Sequence, residues 1–405
     1  MSRKKKYSRF AVITAVTAAT SLFLLSPLVA FGFELAGNIV LEGRYFTEEP
    51  KFAAQKEHNA SIVLEPELYY AFSDGSSLLL KPFVRLDNNA DERSHWDIRE
   101  ASFICPAEDW ELQVGISKVF WGATEFVHLV DIINQTDSVE DFSGEEKLGQ
   151  PMVHLSVPQG QGMIEAFLLP WFRERTFPGE KDRLRSEPII AADHPLYESA
   201  SEQLHLDFSL RYSDTVGNAD FGLYHFMGTS RDPDLLLGGD MRNPVLLPSY
   251  RQIGQTGLDV QMVAGDWLLK GEALYRTGQE RDFAAAVCGF EYTFYGIYES
   301  GADFGIIGEY VFDDRADKSL TVFNNDFIGG FRLALNDAAG TEILAGIMKD
   351  VELSTCMFSA EADRRFGEHL KLHLEALFLL DAAEQDAVLP LEQDSHLSLE
   401  LQYFF

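Results

Sequence analysis

Charged residues of both signs recur at every second position along many segments of this chain, with apolar residues between them. In WLLKGEALYR, at 267–276, Lys270, Glu272 and Arg276 follow this spacing. Such side chains can pair with one another or replace part of the hydration shell of a passing solute. A dry core would impose a heavy desolvation cost on so many charges, so the pattern indicates a water-filled interior. The candidates for lining that interior are Glu42, Arg44, Lys81, Arg85, Arg211, Lys270, Glu272, Arg276, Glu309 and Arg332.

A second group of candidates lies in the long connection GATEFVHLVDIINQTDSVEDFSGEEKLGQ, which ends at Gln150. Its apolar residues between Phe126 and Ile133 are too numerous for a freely solvated loop. This predicts a loop that folds back into the mouth of that interior or covers it, and a short surface helix on its rim remains an alternative. The residues that could narrow an opening here are Trp121, which directly precedes this segment, and Glu125, Asp131, Asn134 and Asp137 within it.

A third group is a basic cluster within FRERTFPGEKDRLR, at 172–185. Its arginines are Arg173, Arg175, Arg183 and Arg185. Three interpretations stay open: binding of lipopolysaccharide phosphates, attraction of an anionic solute, or an ordinary solvated loop. In the last case the local carboxylates Glu174, Glu180 and Asp182 would be the partners.

No arrangement of residues predicts catalysis or a bound cofactor. His128, His205, His225 and His373 are not tied by any local motif to a nucleophile. The three cysteines are far apart and form neither a disulfide framework nor a metal site. The sequence therefore predicts a protein that is not an enzyme and carries no cofactor or metal.

The elements that would position these residues are β-strands, because apolar and polar residues alternate with a period of two from residue 33 to the end. The pattern predicts about 18 strands, with 16 or 14 as alternatives, and one of the longest spans 247–265. Short and long connections alternate along the chain. This favours an all-β fold, a transmembrane antiparallel up-and-down β-barrel.

The N-terminal segment 1–32 has the features of a secretory signal peptide, with basic residues ahead of an apolar run and a small-x-small site. The barrel would then occupy 33–405. The chain carries a formal net charge of −31, and loss of the basic leader would make it more acidic. Nucleic acid is excluded as a partner, because affinity for phosphates depends on Lys and Arg.

The last ten residues, HLSLELQYFF, alternate strictly and end at Phe405. This stretch resembles the C-terminal signature of bacterial outer-membrane barrels, which implies recognition by the barrel assembly machinery. Gly115, the Trp121–Gly122 pair and the spacing of Asp131, Asn134 and Asp137 resemble a group of outer-membrane porin-like barrels. The resemblance implies a Gram-negative outer membrane, with its lipid and lipopolysaccharide as surroundings.

These patterns together favour a channel for passive diffusion of small hydrophilic solutes, with a modest preference for cations because the chain is acidic. A plugged or substrate-specific transporter, an adhesion or structural barrel and a rim enzyme are the alternatives. A homo-oligomer is left open by the sequence.

Overall fold

The computed structural model describes residues 32–240, 242–315 and 324–405, so the predicted signal peptide lies almost wholly outside the described residues. The described residues form 21 strands. These are β1 (Phe33–Phe46), β2 (His58–Ala71), β3 (Ser77–Asp87), β4 (Trp96–Pro106), β5 (Glu111–Ser117), β6 (Gln150–Gln159), β7 (Gly162–Leu169), β8 (Leu196–Tyr197), β9 (Asp207–Val216), β10 (Ala219–Thr229), β11 (Asp234–Asp240), β12 (Asn243–Tyr250), β13 (Gln252–Ala264), β14 (Trp267–Thr277), β15 (Phe283–Phe294), β16 (Asp303–Asp313), β17 (Asn325–Ala334), β18 (Glu342–Asp350), β19 (Cys356–Phe366), β20 (Leu370–Asp381) and β21 (His396–Phe404).

Eighteen of these strands form one closed antiparallel barrel, which confirms the predicted fold and strand number. Each barrel strand pairs with its neighbours along the chain, and β1 also pairs with β21, so the sheet has no free edge. Closure joins the first strand to the last over nine residue pairs, from Asn38–Phe404 to Phe46–His396. No helix of the described residues is long and apolar enough to cross a membrane.

The alternation of side chains explains why the sheet closes with two different faces. In β21, Leu397, Leu399 and Leu401 are exposed on the outer surface, whereas His396 and Ser398 are buried inside. Exposed aromatic side chains lie on the outer surface near both ends of the barrel, as in membrane barrels whose aromatic rings mark the two interfaces. Near one end they are Tyr45, Trp96, Tyr275, Phe312 and Phe327, and near the other Trp110, Trp267, Phe294 and Tyr403.

The two ends of the barrel differ in their connections. One end, here called the turn end, has mostly tight connections such as 72–76, 160–161 and 217–218. The other, here called the mouth end, carries the long segments 118–149, 170–206 and 230–251. This agrees with the predicted alternation of short and long connections.

The structure departs from the strand prediction at 247–265. That stretch is divided between β13 and β12, and β12 leaves the barrel to form a separate three-stranded sheet with β11 and β8. The two-residue period continues across Arg251, so periodicity alone could not place the break. A bulge at Lys81–Pro82 interrupts the pairing of β3 with β4, as expected where proline lacks an amide donor.

Candidate functional site

The segment 118–149, here called the lumen loop, lies inside the barrel and contains no helix. Asn134 joins the two ends of the loop at its base. Its side-chain oxygen accepts a hydrogen bond from the N–H of Val119 (2.8 Å), and its amide donates to the carbonyl oxygens of Ser117 (2.8 Å) and Leu148 (2.9 Å). A buried amide satisfied by three backbone groups fixes the course of the chain at this point.

The apolar residues of the lumen loop pack against the inner wall. Trp121 is buried between the rings of Phe167 and Tyr224, with ring centroids 5.5 and 4.8 Å apart. Val130, Ile132 and Ile133 belong to the same cluster, whose wall residues come from β6, β7, β10 and β13. Val127 and Leu129 join a second cluster on β14–β17. The loop therefore packs against eight of the nine consecutive barrel strands from β6 to β17, with β9 as the exception, and burial of apolar surface holds it there.

Two wall carboxylates bind the backbone of the lumen loop on this side. Glu272 of β14 accepts hydrogen bonds from the N–H groups of Ala123 (2.8 Å), Thr124 (3.1 Å), Leu129 (2.7 Å) and Val130 (3.2 Å). The hydroxyl of Thr124 also donates to Glu272 (2.6 Å). One side chain thus satisfies both ends of the segment 123–130.

Glu309 of β16 binds the middle of the same segment. Its carboxylate accepts hydrogen bonds from the N–H groups of Glu125 (2.6 Å) and Phe126 (3.1 Å). The side chain of Glu125 then forms ion pairs with Lys270 (2.7 Å) and Arg332. Burial opposes ionisation of Glu125, but the hydrogen bond and charge of Lys270 outweigh it and lower the pKa of this carboxyl.

On the opposite side of the lumen, arginines of the wall bind acidic side chains of the loop. Arg85 pairs with Glu140 (2.7 Å), and Arg99 pairs with Asp137 (2.7 Å). Burial opposes ionisation of Asp137, but His95, whose Nε2 lies 3.5 Å from the carboxylate, and the charge of Arg99 lower its pKa well below the usual range. The lumen loop is therefore attached to the wall at both sides of the barrel.

Glu42 connects these arginines to β1. Its carboxylate is buried, accepts hydrogen bonds from Arg93 (2.9 and 3.1 Å) and from Arg85, and lies 3.5 Å from Arg44. A buried carboxylate that several guanidinium groups share fixes the directions of those groups. Arg93 and Arg99 are not among the sequence candidates, although Arg99 is a charged residue of a predicted strand.

A cavity of about 2390 Å³ lies in the lumen beside the loop. It is bounded on one side by β17–β21 and β1–β4, and on the other by residues 118–147 of the lumen loop. It reaches Asn38 and Gln402 near the turn end, and Gln279 and Arg281 at the mouth end. The open part of the barrel is thus displaced from its axis toward one half of the wall.

The formal charges of the side chains that line this cavity nearly cancel, with sixteen Asp or Glu residues and fourteen Lys or Arg residues. The net charge of the whole chain therefore says little about the lumen. The positions of the individual charges are more informative. In the described residues, several carboxylates that line the cavity form no ion pair with Lys, Arg or His, among them Asp141, Glu145, Glu361 and Glu375. Enclosure by the barrel, followed by the charges of Asp141 and Glu361, raises the pKa of Glu145 to about 7.

The charges predicted to face inward fall into two sets. Arg44, Lys81, Arg85, Arg276 and Arg332 line the cavity. Glu42, Arg211, Lys270, Glu272 and Glu309 point inward but do not line it. Most of the second set lie beneath the lumen loop or its arginine contacts, which sequence parity alone could not reveal.

The candidates of the lumen loop are similarly divided. Glu125, Asp131 and Asn134 line the cavity, whereas Trp121 and Asp137 are buried against the wall and do not. Burial raises the pKa of Asp131, and Lys147 at 3.5 Å opposes this shift. The sequence candidates missed Asp141 and Glu145, although both are acidic residues of the same loop.

The arginines of the basic cluster have partners far away in the sequence rather than the neighbouring carboxylates. Arg173 pairs with Asp97 (2.7 Å), and Arg175 contacts Asp232 (3.5 Å). They belong to residues 170–206, here called the mouth strap.

The mouth strap crosses the mouth end to the first and last strands. Arg183 pairs with buried Asp394 (2.5 Å) and lies 4.2 Å from the ring centre of Phe46. Arg185 lies 3.5 Å from the ring centre of Phe52. An ordinary solvated loop does not describe these buried guanidinium groups, because they hold the strap in place.

No protein-family model and no curated protein matches this chain. A BenF-like porin from Pseudomonas fluorescens Pf-5 superimposes with a TM-score of 0.55 at 10% identity, over 92% of this chain and 97% of that chain. OmpT, an outer membrane protein of Vibrio cholerae, aligns with a TM-score of 0.49 at 8% identity, over 92% and 99%. A variant of the Rh. blastica porin gives 0.44 at 11% identity, over 92% and 100%. The likeness to the BenF-like porin shows a shared fold, and confirms the expected porin-like barrel.

Proposed function

We propose that this protein is an outer-membrane channel of a Gram-negative bacterium that allows passive diffusion of small hydrophilic solutes. The observation that carries the proposal is the charged cavity beside the lumen loop, which extends from the turn-end half of the barrel to its mouth. Charged walls of both signs can replace part of the hydration shell of a solute, so no chemical step or cofactor is required.

In this mechanism the gap between the lumen loop and the facing strands sets the size limit. Carboxylates that form no ion pair with Lys, Arg or His in the described residues, among them Asp141, Glu145, Glu361 and Glu375, lie on both sides of that gap. Because negative charge attracts cations and repels anions, we expect a modest preference for cations. The arginines at the mouth end are balanced by carboxylates, so they weaken this preference only slightly.

The outer surface supports the proposed location. Its exposed leucines and terminal aromatic side chains fit lipid contact. Lipid and lipopolysaccharide would surround the barrel, the segment 1–32 would direct export, and the assembly machinery would recognise the strand that ends at Phe405. A homo-oligomer remains compatible with this outer surface.

A substrate-specific transporter is the second candidate. The lumen loop fills one half of the interior, and the mouth strap narrows the entrance, so a solute would have to pass between fixed groups. An adhesion barrel or a rim enzyme has no comparable support in the described residues.

The test is single-channel recording from the folded protein, residues 33–405, in a planar lipid bilayer with a KCl gradient. Discrete ohmic steps with a reversal potential toward that of potassium support the proposal. Steps that one class of solute blocks would favour the substrate-specific transporter. A folded and inserted protein without conductance would contradict both forms of channel.

A further inference from the structure

We propose that Glu272 and Glu309 are positioning residues that determine the ion selectivity of the channel without lining its cavity. They would do so by fixing the backbone of the lumen loop so that Glu125 stays against Lys270 and Arg332. This inference rests on the proposed channel function and adds to it the residues that set the charge of one side of the lumen.

The first argument is the unusual surroundings of the two carboxylates. Several other buried carboxylates of the wall pair with arginine, as Asp259 does with Arg211 (2.7 Å). Neither Glu272 nor Glu309 forms an ion pair with any Lys or Arg in the described part of the chain, and the Glu272 side chain is fully buried. Their negative charge is stabilised mainly by N–H groups of the segment 123–130. The two carboxylates therefore stabilise the conformation of the loop rather than the packing of the wall.

The second argument concerns the residue that the two carboxylates place. Glu309 binds the N–H of Glu125 at 2.6 Å, so the backbone of Glu125 is fixed next to β16. From there its side chain reaches Lys270 on β14 and Arg332 on β17. The loop thus supplies a carboxylate that neutralises basic groups on two wall strands.

The consequence for the lumen follows from charge. If the segment 123–130 left the wall, Glu125 would leave with it, and Lys270 and Arg332 would face water with one fewer carboxylate nearby. That side of the lumen would become more positive and would admit anions more readily. The wall cluster that includes Leu274, Val287 and Val311 would also be uncovered, which opposes complete release of the loop.

The experiment compares reversal potentials across a KCl gradient for Glu272→Gln, Glu309→Gln and the double variant. Each substitution keeps the size of the side chain but removes the charge-assisted acceptor. The matched control is Glu165→Gln, which removes one inward carboxylate that contacts His154 rather than the lumen loop. We expect the first three variants to shift the reversal potential toward chloride, with the largest shift in the double variant and little change in the control. Equal shifts in the control and the test variants would overturn the inference.

A second measurement does not depend on conductance. Hydrogen exchange of the folded protein should be about ten-fold or more faster at the N–H groups of 123–130 in Glu272→Gln, because each bond to a charged acceptor contributes to protection. Glu125→Gln should shift the reversal potential in the same direction while this exchange stays slow. Fast exchange without any change of selectivity would overturn the inference. Protected N–H groups in a wild-type protein that never conducts would instead overturn the channel function alone.

Discussion

Phe126 of the lumen loop rests against Gly346 of β18. A methyl group added at Gly346 would lie 3.0 Å from Cζ and 3.1 Å from Cε1 of the Phe126 ring. The absence of a side chain at Gly346 therefore leaves the space that this ring occupies. Gly346→Ala should displace Phe126 and destabilise the folded protein by about 1–3 kcal/mol, the usual range for overpacking. Urea unfolding of the detergent-folded protein measures the change.

A double-mutant cycle separates this contact from other effects of the alanine. In the Phe126→Ala background, Gly346→Ala should have little effect, because the ring that it would displace is gone. Gly329→Ala is the matched control on β17, where the added carbon would meet only the ring of Phe327 at an ordinary 3.5 Å. An equal loss of stability in both backgrounds would contradict the assigned contact.

The selectivity of the proposed channel should depend on pH through Glu145. With a pKa of about 7, this carboxyl is mostly ionised above neutrality and mostly protonated below it. Because ionisation adds negative charge to the cavity, the preference for cations should be stronger at about pH 8 than at about pH 6. Reversal potentials at the two pH values test this. Glu145→Gln should remove most of the difference, and an unchanged difference would show that other groups are responsible.

The mouth strap should depend on the buried pair of Arg183 and Asp394. Arg183→Ala leaves Asp394 buried without its partner, which typically costs about 3–5 kcal/mol. Loss of that energy should release the strap, so hydrogen exchange within 170–206 should become faster. Lys181 and Asp91 form an exposed pair in the same region, and Lys181→Ala should leave exchange unchanged. Protection that survives in Arg183→Ala would contradict this account of the strap.

The ring of Phe405 should matter for assembly in cells more than for stability. The backbone of Phe405 exchanges two hydrogen bonds with Gly37 (3.2 and 3.1 Å), and Phe405→Ala preserves both. We therefore expect nearly normal folding in detergent but several-fold less protein in the outer membrane, if the assembly machinery reads the final aromatic residue. Normal amounts in the membrane would argue against that role.

The strands and the inward direction of their charges could be predicted because both follow from a local period of two. The separate three-stranded sheet of β8, β11 and β12 could not be predicted, because the parallel pairing of Leu196–Tyr197 with Ser249–Tyr250 joins short segments far apart in the sequence. The contacts that place the lumen loop against the wall could not be predicted from the sequence either. The two-residue alternation predicts that Glu272 faces the lumen. Only the folded chain shows that five hydrogen-bond donors of the loop converge on its carboxylate.

The attachment of the lumen loop to both sides of the barrel has a mechanical consequence. A wide cylinder with a water-filled interior resists flattening only through the stiffness of its sheet, while the surrounding bilayer presses on it laterally. The loop spans the interior from the carboxylates of β14 and β16 to the arginines of β3 and β4. It acts as an internal strut, so the cross-section of the barrel keeps its shape while half of its width stays open.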